Sequence, residues 1–167
     1  MKKQISQEYL KKLLAYDDKT GNFVWIAKRK GNKGVGTIAN SKMKDGYKRI
    51  TIDGKAYLQH FLAWIYVFGK APSNQIDHIN HDKSDNRICN LRDVTQSENQ
   101  RNRRLNKNST SGVCGVGWHK TNKIWEARIK INGKQKHIGS FKNFYDAVRA
   151  RKEYEEKYCF HINHGGK

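Results

Sequence analysis

Apolar positions along this chain come in short bursts separated by polar turn chemistry, so each burst reads as a small element. Tyr9, Leu10, Leu13 and Leu14 recur at helical spacing behind Ser6, which predicts an amphipathic helix over 6–16 with the serine as N-cap. Asp17-Asp18-Lys19-Thr20-Gly21-Asn22 is turn chemistry, and Phe23 to Ile26 is a strand-like run. The stretch from Ala27 to Asn40 is basic and Gly-rich and reads as a mobile surface loop. Its Lys28, Arg29, Lys30 and Lys33 suit phosphate contacts, and a merely solvated loop explains them equally well. Tyr47 to Ile52 and Lys55 to Leu58 flank Asp53-Gly54, a hairpin signal because both turn positions tolerate positive φ. A two-stranded ribbon carrying Lys48 and Arg49 has the dimensions to enter a major groove. His60 to Phe68 is apolar and aromatic, which predicts a buried helix closed by Gly69. His60 itself reads more readily as structural than as a ligand.

Ile76, Asp77 and His78 form or adjoin a short strand, and Leu91 to Val94 form a second one after a polar loop. Neighbouring strand residues point to opposite faces, so a local bend or twist is needed to bring Asp77 and His78 to one site. Thr95-Gln96-Ser97-Glu98 is a capping box, which places Asn99 in the first turn of a helix. Beyond a basic, Asn-rich stretch containing Arg101, Arg103 and Arg104, three strands are predicted over 113–118, 124–131 and 135–141. The second and third are joined by Asn132-Gly133, again a hairpin signal. A helix follows over 144–158, capped by Asn143, with Phe144, Ala147, Val148, Tyr154 and Tyr158 on its inner face. In the middle strand Trp125, Ala127, Ile129 and Ile131 alternate with Glu126, Arg128 and Lys130, so one face is apolar and the other mostly basic.

Composition narrows the partner. Among 167 residues, 34 Lys and Arg face 15 Asp and Glu, a net charge of +19. Such an excess selects a polyanion, most often nucleic acid, with an anionic membrane surface as the competing reading. No apolar run approaches the roughly 18 residues of a membrane span, and no signal-peptide core follows Met1, so a cytoplasmic protein of a bacterial or phage-infected cell is expected. Cys89, Cys114 and Cys159 lie far apart without a metal-binding spacing and read as reduced thiols. The charge is uneven: residues 1–70 hold 15 basic and 5 acidic side chains, residues 99–167 hold 16 and 5, but residues 71–98 hold 3 and 5. The carboxylates of that central island either hold a cation or merely solvate turns.

Asp77-His78, Asn90-Leu91-Arg92 and Val94-Thr95-Gln96 followed by Asn99 resemble the ββα-metal nucleases of the HNH type, and most closely the HNH homing endonucleases of phages and introns. The resemblance extends upstream through Asp45 to Ile50 and through Gln59-His60. It implies that His78 is the general base for the attacking water, a role an imidazole suits near neutral pH. It implies that Asp77 and Asn99 bind one Mg²⁺ or Mn²⁺ ion through oxygen, and that Asn90 holds the loop and orients the base. Asn99 replaces the His found in many relatives, and His81 and Asp82 match no family position, so they read as loop residues.

The region around Gly115-Val116, Trp125 to Ile129 and Ile138 to Phe141 with Ala147 resembles the Apetala/ethylene-response-factor DNA-binding domain. That implies a sheet lying in the major groove, with Arg128, Lys130, Gln135 and His137 facing DNA and Trp118 and Lys120 nearby. Family positions held by Arg in plants carry Cys114, Gly117 and His119 here, so no base preference transfers. The expected fold is α+β: a ββα-metal HNH region plus a three-stranded antiparallel sheet packed on one helix. Its expected parts are an N-terminal helix, hairpin and basic loop (1–43), the HNH region (44–100), a linker (101–109), the DNA-binding module (110–160) and a tail (161–167). The leading functional reading is a site-directed, metal-dependent endonuclease acting on double-stranded DNA, with no small-molecule cofactor beyond the metal and no membrane partner. A non-catalytic DNA-binding regulator that keeps an HNH shell is the alternative, and an RNA-binding protein rests on charge alone.

Overall fold

The computed structural model describes residues 5–28, 34–131 and 133–166. Arg29, Lys30 and Lys33 of the basic loop, and Asn132 of the second hairpin turn, lie outside the described residues. The chain divides into two compact units, Met1–Val94 and Thr95–Lys167. Both mix helices with small antiparallel sheets, as an α+β protein does.

In the first unit, helix α1 (Gln7–Leu13) begins where the Ser6 hydroxyl accepts the Tyr9 amide. It ends earlier than its apolar spacing predicts, because Leu14 turns extended and opens strand β1 (Leu14–Asp17). β1 pairs with β2 (Asn22–Trp25) across the Asp17 to Gly21 turn, so tertiary pairing overrides the helical pattern at Leu14. The segment after β2 is no detached loop where it is described. The Trp25 amide donates to Thr37, the Ala39 amide donates to Phe23, and Val24 bridges Ile38, so residues 34–40 lie back along β2.

Strands β3 (Ser41–Lys42), β4 (Lys48–Ile52) and β5 (Lys55–Leu58) form one sheet in that order. The β4–β5 turn holds Asp53 at φ 49° and Gly54 at φ 74°, both positive as a tight primed hairpin requires. Helix α2 (Gln59–Phe68) follows directly and is stopped by Gly69 in the left-handed region. Strands β6 (Gln75–His78) and β7 (Leu91–Val94) make a two-stranded ladder, with a 3₁₀ turn at Ile88–Asn90 between them. Leu10, Leu14, Phe23, Trp25, Ile50, Ile52, Leu62, Ile65 and Leu91 share one core that joins α1, β1, β2, β4, α2 and β7, with Tyr57 of β5 and Ile76 of β6 packed against it.

The second unit opens with α3 (Gln96–Gln100), whose capping box between Thr95 and Glu98 is formed in both directions. Strands β8 (Val116–His119), β9 (Ile124–Ile131) and β10 (Lys134–Phe141) form an antiparallel sheet with β9 in the middle. Helix α4 (Phe144–Lys157) packs on it, its first turn capped by Asn143 accepting the Tyr145 amide. Val116, Ala127 and Ala147 centre a small core with Trp125, Phe141, Phe144 and Val148 around it. The C-terminal half of α4 buries Arg151 and Glu155, whereas Tyr154 and Tyr158 are half-buried. The stretches after α3 and after α4 are tied together, with the His161 amide donating to Arg101, Gly165 to Arg103 and Leu105 to Gly166. Neither therefore behaves as a loose linker or tail. Among the described residues no helix is long and apolar enough to cross a membrane.

Candidate active site

His78 ends β6 with only 4% of its surface exposed. Its Nε2 lies 3.2 Å from Asn86 Oδ1. Asn86 is itself buried, and its Nδ2 donates to the Ser84 carbonyl at 3.2 Å, which turns the amide oxygen toward His78. An Nε2–H tautomer of His78 suits the oxygen that Asn86 presents to it. Burial lowers the His78 pKa, opposed by the Asn86 bond and by Asp77, Asp85 and Asp82, so the ring is neutral at neutral pH. A neutral, oriented imidazole of this kind can accept a proton.

Two further rings enclose it. His60, at the head of α2, stands edge-on to His78 with centroids 5.2 Å apart, and Tyr47 lies 5.3 Å from His60 and 5.9 Å from His78. Burial, then the neighbouring His78, pushes the His60 pKa down to about 4. Burial raises that of Tyr47. The Lys83 ammonium lies 4.5 Å above the Tyr47 ring and donates to the Asp45 carbonyl.

The polar loop between β6 and β7 is built from side chains bonded to nearby backbone. Asn80 Oδ1 accepts the Asp82 amide, Asp82 Oδ1 accepts the Ser84 amide and hydroxyl, and Asp85 Oδ1 accepts the Arg87 amide. Asn90 spans the loop: its Oδ1 accepts the Asn80 amide and its Nδ2 donates to the Asp85 carbonyl, both at 2.9 Å. Asp85 also pairs with Arg87 at 2.6 Å, which with its hydrogen bonds lowers its pKa to about 2. Asp93 accepts the Ser73 and Asn74 amides. With Glu98 in its capping box and Asp77 on Arg92, every carboxylate of the acidic island has a structural partner, so its charge alone is no argument for a cation.

Asn86 is held from behind by the first hairpin. Tyr16 donates its hydroxyl to the Asn86 carbonyl at 2.8 Å, and Gln59 Nε2 donates to the Gly21 carbonyl at 2.7 Å. Gly21 has φ 69°, and a Cβ there would stand 2.4 Å from the Arg87 amide nitrogen, so only glycine fits this close approach. Sequence reading missed Asn86 because it lies inside an unbroken polar run from Asn80 to Arg87.

Asp77 pairs across the ladder with Arg92, whose Nε and Nη2 donate to Asp77 Oδ2 at 3.0 and 2.7 Å. The β6–β7 register runs without a shift from Gln75 to His78, so the anticipated bend is absent from the ladder and the chain turns just after it, where the His81 amide donates to His78. Asn99 lies on α3, in the second unit. Among the described residues no three His, Cys, Asp or Glu side chains are grouped to hold a metal. Taken singly, Asp77 offers a carboxylate already engaged by Arg92 and Asn99 a neutral amide oxygen, each of the oxygen type that hard divalent ions accept.

The remaining residues with a sequence rationale for DNA contact divide by face. Lys48 and Arg49 point to opposite sides of β4: Arg49 is exposed and donates to Ser41, whereas Lys48 is half-buried and donates to Asn22. They do not form one basic edge. In the second unit Arg128 pairs with His137 and Lys130 with Gln135 across β9–β10, so these four share the outer face. Arg128 also forms an ion pair with Glu126. Trp118 instead pairs with Trp125, whose ring rests on Phe144 of α4, so it belongs to the helix side. Arg103 and Arg104 are exposed and Arg101 is half-buried.

A family model described as HNH endonuclease matches residues 57–101, which contain Asp77, His78, Asn86, Asn90, Arg92 and Asn99. The match stops before the three-stranded module. Protein 3.8 of Escherichia phage T7 is 31% identical over 99 residues, which cover 59% of this chain and 79% of that protein. No solved structure matches the chain. From the oriented, neutral His78 and these two similarities, the chain belongs to the HNH endonuclease family.

Proposed function

We propose that the protein is a metal-dependent endonuclease of the homing type that hydrolyses phosphodiester bonds in double-stranded DNA. The observation that carries this reading is the buried His78, its pKa lowered by burial and its Nε2 3.2 Å from Asn86 Oδ1. In this reading Nδ1 of His78 takes the proton of the attacking water. Asn90 keeps the loop closed so that His78 and Asn86 hold their geometry. Asp77, steadied by Arg92, and Asn99 are the residues that would hold one Mg²⁺ or Mn²⁺ ion. Such an ion, when bound, neutralises charge on the scissile phosphate and stabilises the leaving 3′ oxygen.

The second unit acts as the DNA-binding module of Apetala/ethylene-response-factor type, with Arg128, Lys130, Gln135 and His137 toward duplex DNA. Arg49, Arg101, Arg103 and Arg104 add phosphate contacts. The test is plasmid cleavage with Mg²⁺ or Mn²⁺ by wild type and His78→Ala. Loss of cutting in the variant, with DNA binding retained, is the expected result, and cutting that survives sinks the base assignment. The Arg92–Asp77 pair favours a second reading, a non-catalytic DNA-binding regulator, since it neutralises the one charged ligand. That reading gains if wild type binds DNA but cuts it under no divalent metal.

A further inference from the structure

On the helix side of the second unit's sheet, Thr110, Trp118, Lys120 and Trp125 line an open cavity of about 450 Å³. Its two indoles are 5.1 Å apart and tilted by 58°. Trp125 is anchored edge-on to Phe144 at 4.7 Å, so it forms a fixed wall. Trp118 is 42% exposed, a large apolar area to leave in water on a module whose own core is small. Lys120 and Thr110, both exposed, add a cation and a hydroxyl to the same cavity.

We propose that this cavity binds one unstacked nucleobase, its π-face on Trp118 and its phosphate on Lys120. Charge selects the ligand class: residues 99–167 carry 16 Lys and Arg against 5 Asp and Glu, which draws in a polyanion and disfavours an acidic or neutral peptide. Position selects the form of nucleic acid. Arg128, Lys130, Gln135 and His137 occupy the opposite face of the sheet. A paired duplex presents phosphates and base edges, whereas an aromatic wall can be covered by a base only when that base has left its stack. The module therefore has two surfaces, a basic outer face for paired nucleic acid and an aromatic pocket for an unpaired nucleotide. The inference rests on the nucleic-acid reading above but not on cleavage.

The experiment uses the full chain with His78→Ala, titrated without divalent metal into two duplexes of one sequence, one fully paired and one carrying a single extrahelical 2-aminopurine nucleotide. The expected result is tighter binding to the bulged duplex, with a change in 2-aminopurine fluorescence on binding. Adding Trp118→Ala is expected to reduce that preference by about 5- to 150-fold, as loss of one base–aromatic stack does, while Trp118→Phe keeps most of it. If Trp118→Ala fails to fold by circular dichroism, Lys120→Gln carries the test through a shallower salt dependence on the bulged duplex alone. Equal affinity for both duplexes, or a preference that survives Trp118→Ala, overturns the pocket assignment. Failure to bind either duplex instead overturns the nucleic-acid reading, and binding without cleavage by wild type in Mg²⁺ or Mn²⁺ overturns only the nuclease.

Discussion

His78 is useful because of what surrounds it, and each neighbour has a measurable share. Asn86 sets which ring nitrogen carries the proton, so Asn86→Ala leaves His78 free to adopt either tautomer and strips a buried hydrogen bond worth about 1–3 kcal/mol. The expected outcome is a tenfold to hundredfold fall in the single-turnover cleavage rate with duplex affinity retained. His60 makes the first unit acid-sensitive. Its folded pKa of about 4 lies below its unfolded value of 6.5, so the unfolded chain binds the extra proton first and stability falls as pH drops between those values. The loss reaches about 3 kcal/mol near pH 4. Denaturant unfolding across that range is expected to show this gradient in wild type and a shallower one in His60→Phe. Asp85, lowered to about 2, contributes stability that is lost only below its ordinary value of 3.8, so the two effects separate by pH.

At the scale of elements, the β1–β2 hairpin is a brace for the site as much as a piece of core. Through Tyr16 and Gly21 it supports the loop that carries Asn86, which explains why a loop of short polar residues beside His78 can hold one geometry. Helix α4 is the counterpart in the second unit. Its apolar spacing points to Tyr154 and Tyr158 as inner residues, yet Arg151 and Glu155 are the buried ones there. Arg151 donates to the Cys114 carbonyl through Nε, and its Nη2 lies 3.2 Å from His164 and 3.3 Å from Glu155. Glu155→Ala leaves Arg151 buried beside no carboxylate and is expected to cost 3–5 kcal/mol of the second unit's stability, on the order of a buried ion pair broken from one side. Thermal unfolding followed by Trp fluorescence checks it. Glu155→Gln, which keeps one hydrogen-bonding oxygen, should lose less.

At the scale of the whole molecule, net charge and its placement govern affinity for nucleic acid. Replacing Arg101, Arg103 and Arg104 together by Gln is expected to weaken duplex binding and make the slope of log K against log salt shallower by about two to three, one phosphate contact each. Anisotropy titrations over a range of salt concentrations measure it, and an unchanged slope removes these residues from the interface. The amino-acid sequence by itself determined what depends on neighbours within a few residues: the Ser6 and Asn143 caps, the Thr95–Glu98 capping box, the Asp53-Gly54 turn, the Gly69 stop and the alternation of β9. These are local hydrogen bonds and allowed dihedrals, so they are written where they act. Tertiary structure alone decided that Leu14 begins a strand, that Asn86 rather than another loop amide meets His78, that Arg92 holds Asp77 and that Trp118 joins the helix side. Each of these follows from pairing or packing between segments distant in the chain, where the energy of burying and partnering a side chain outweighs its local preference.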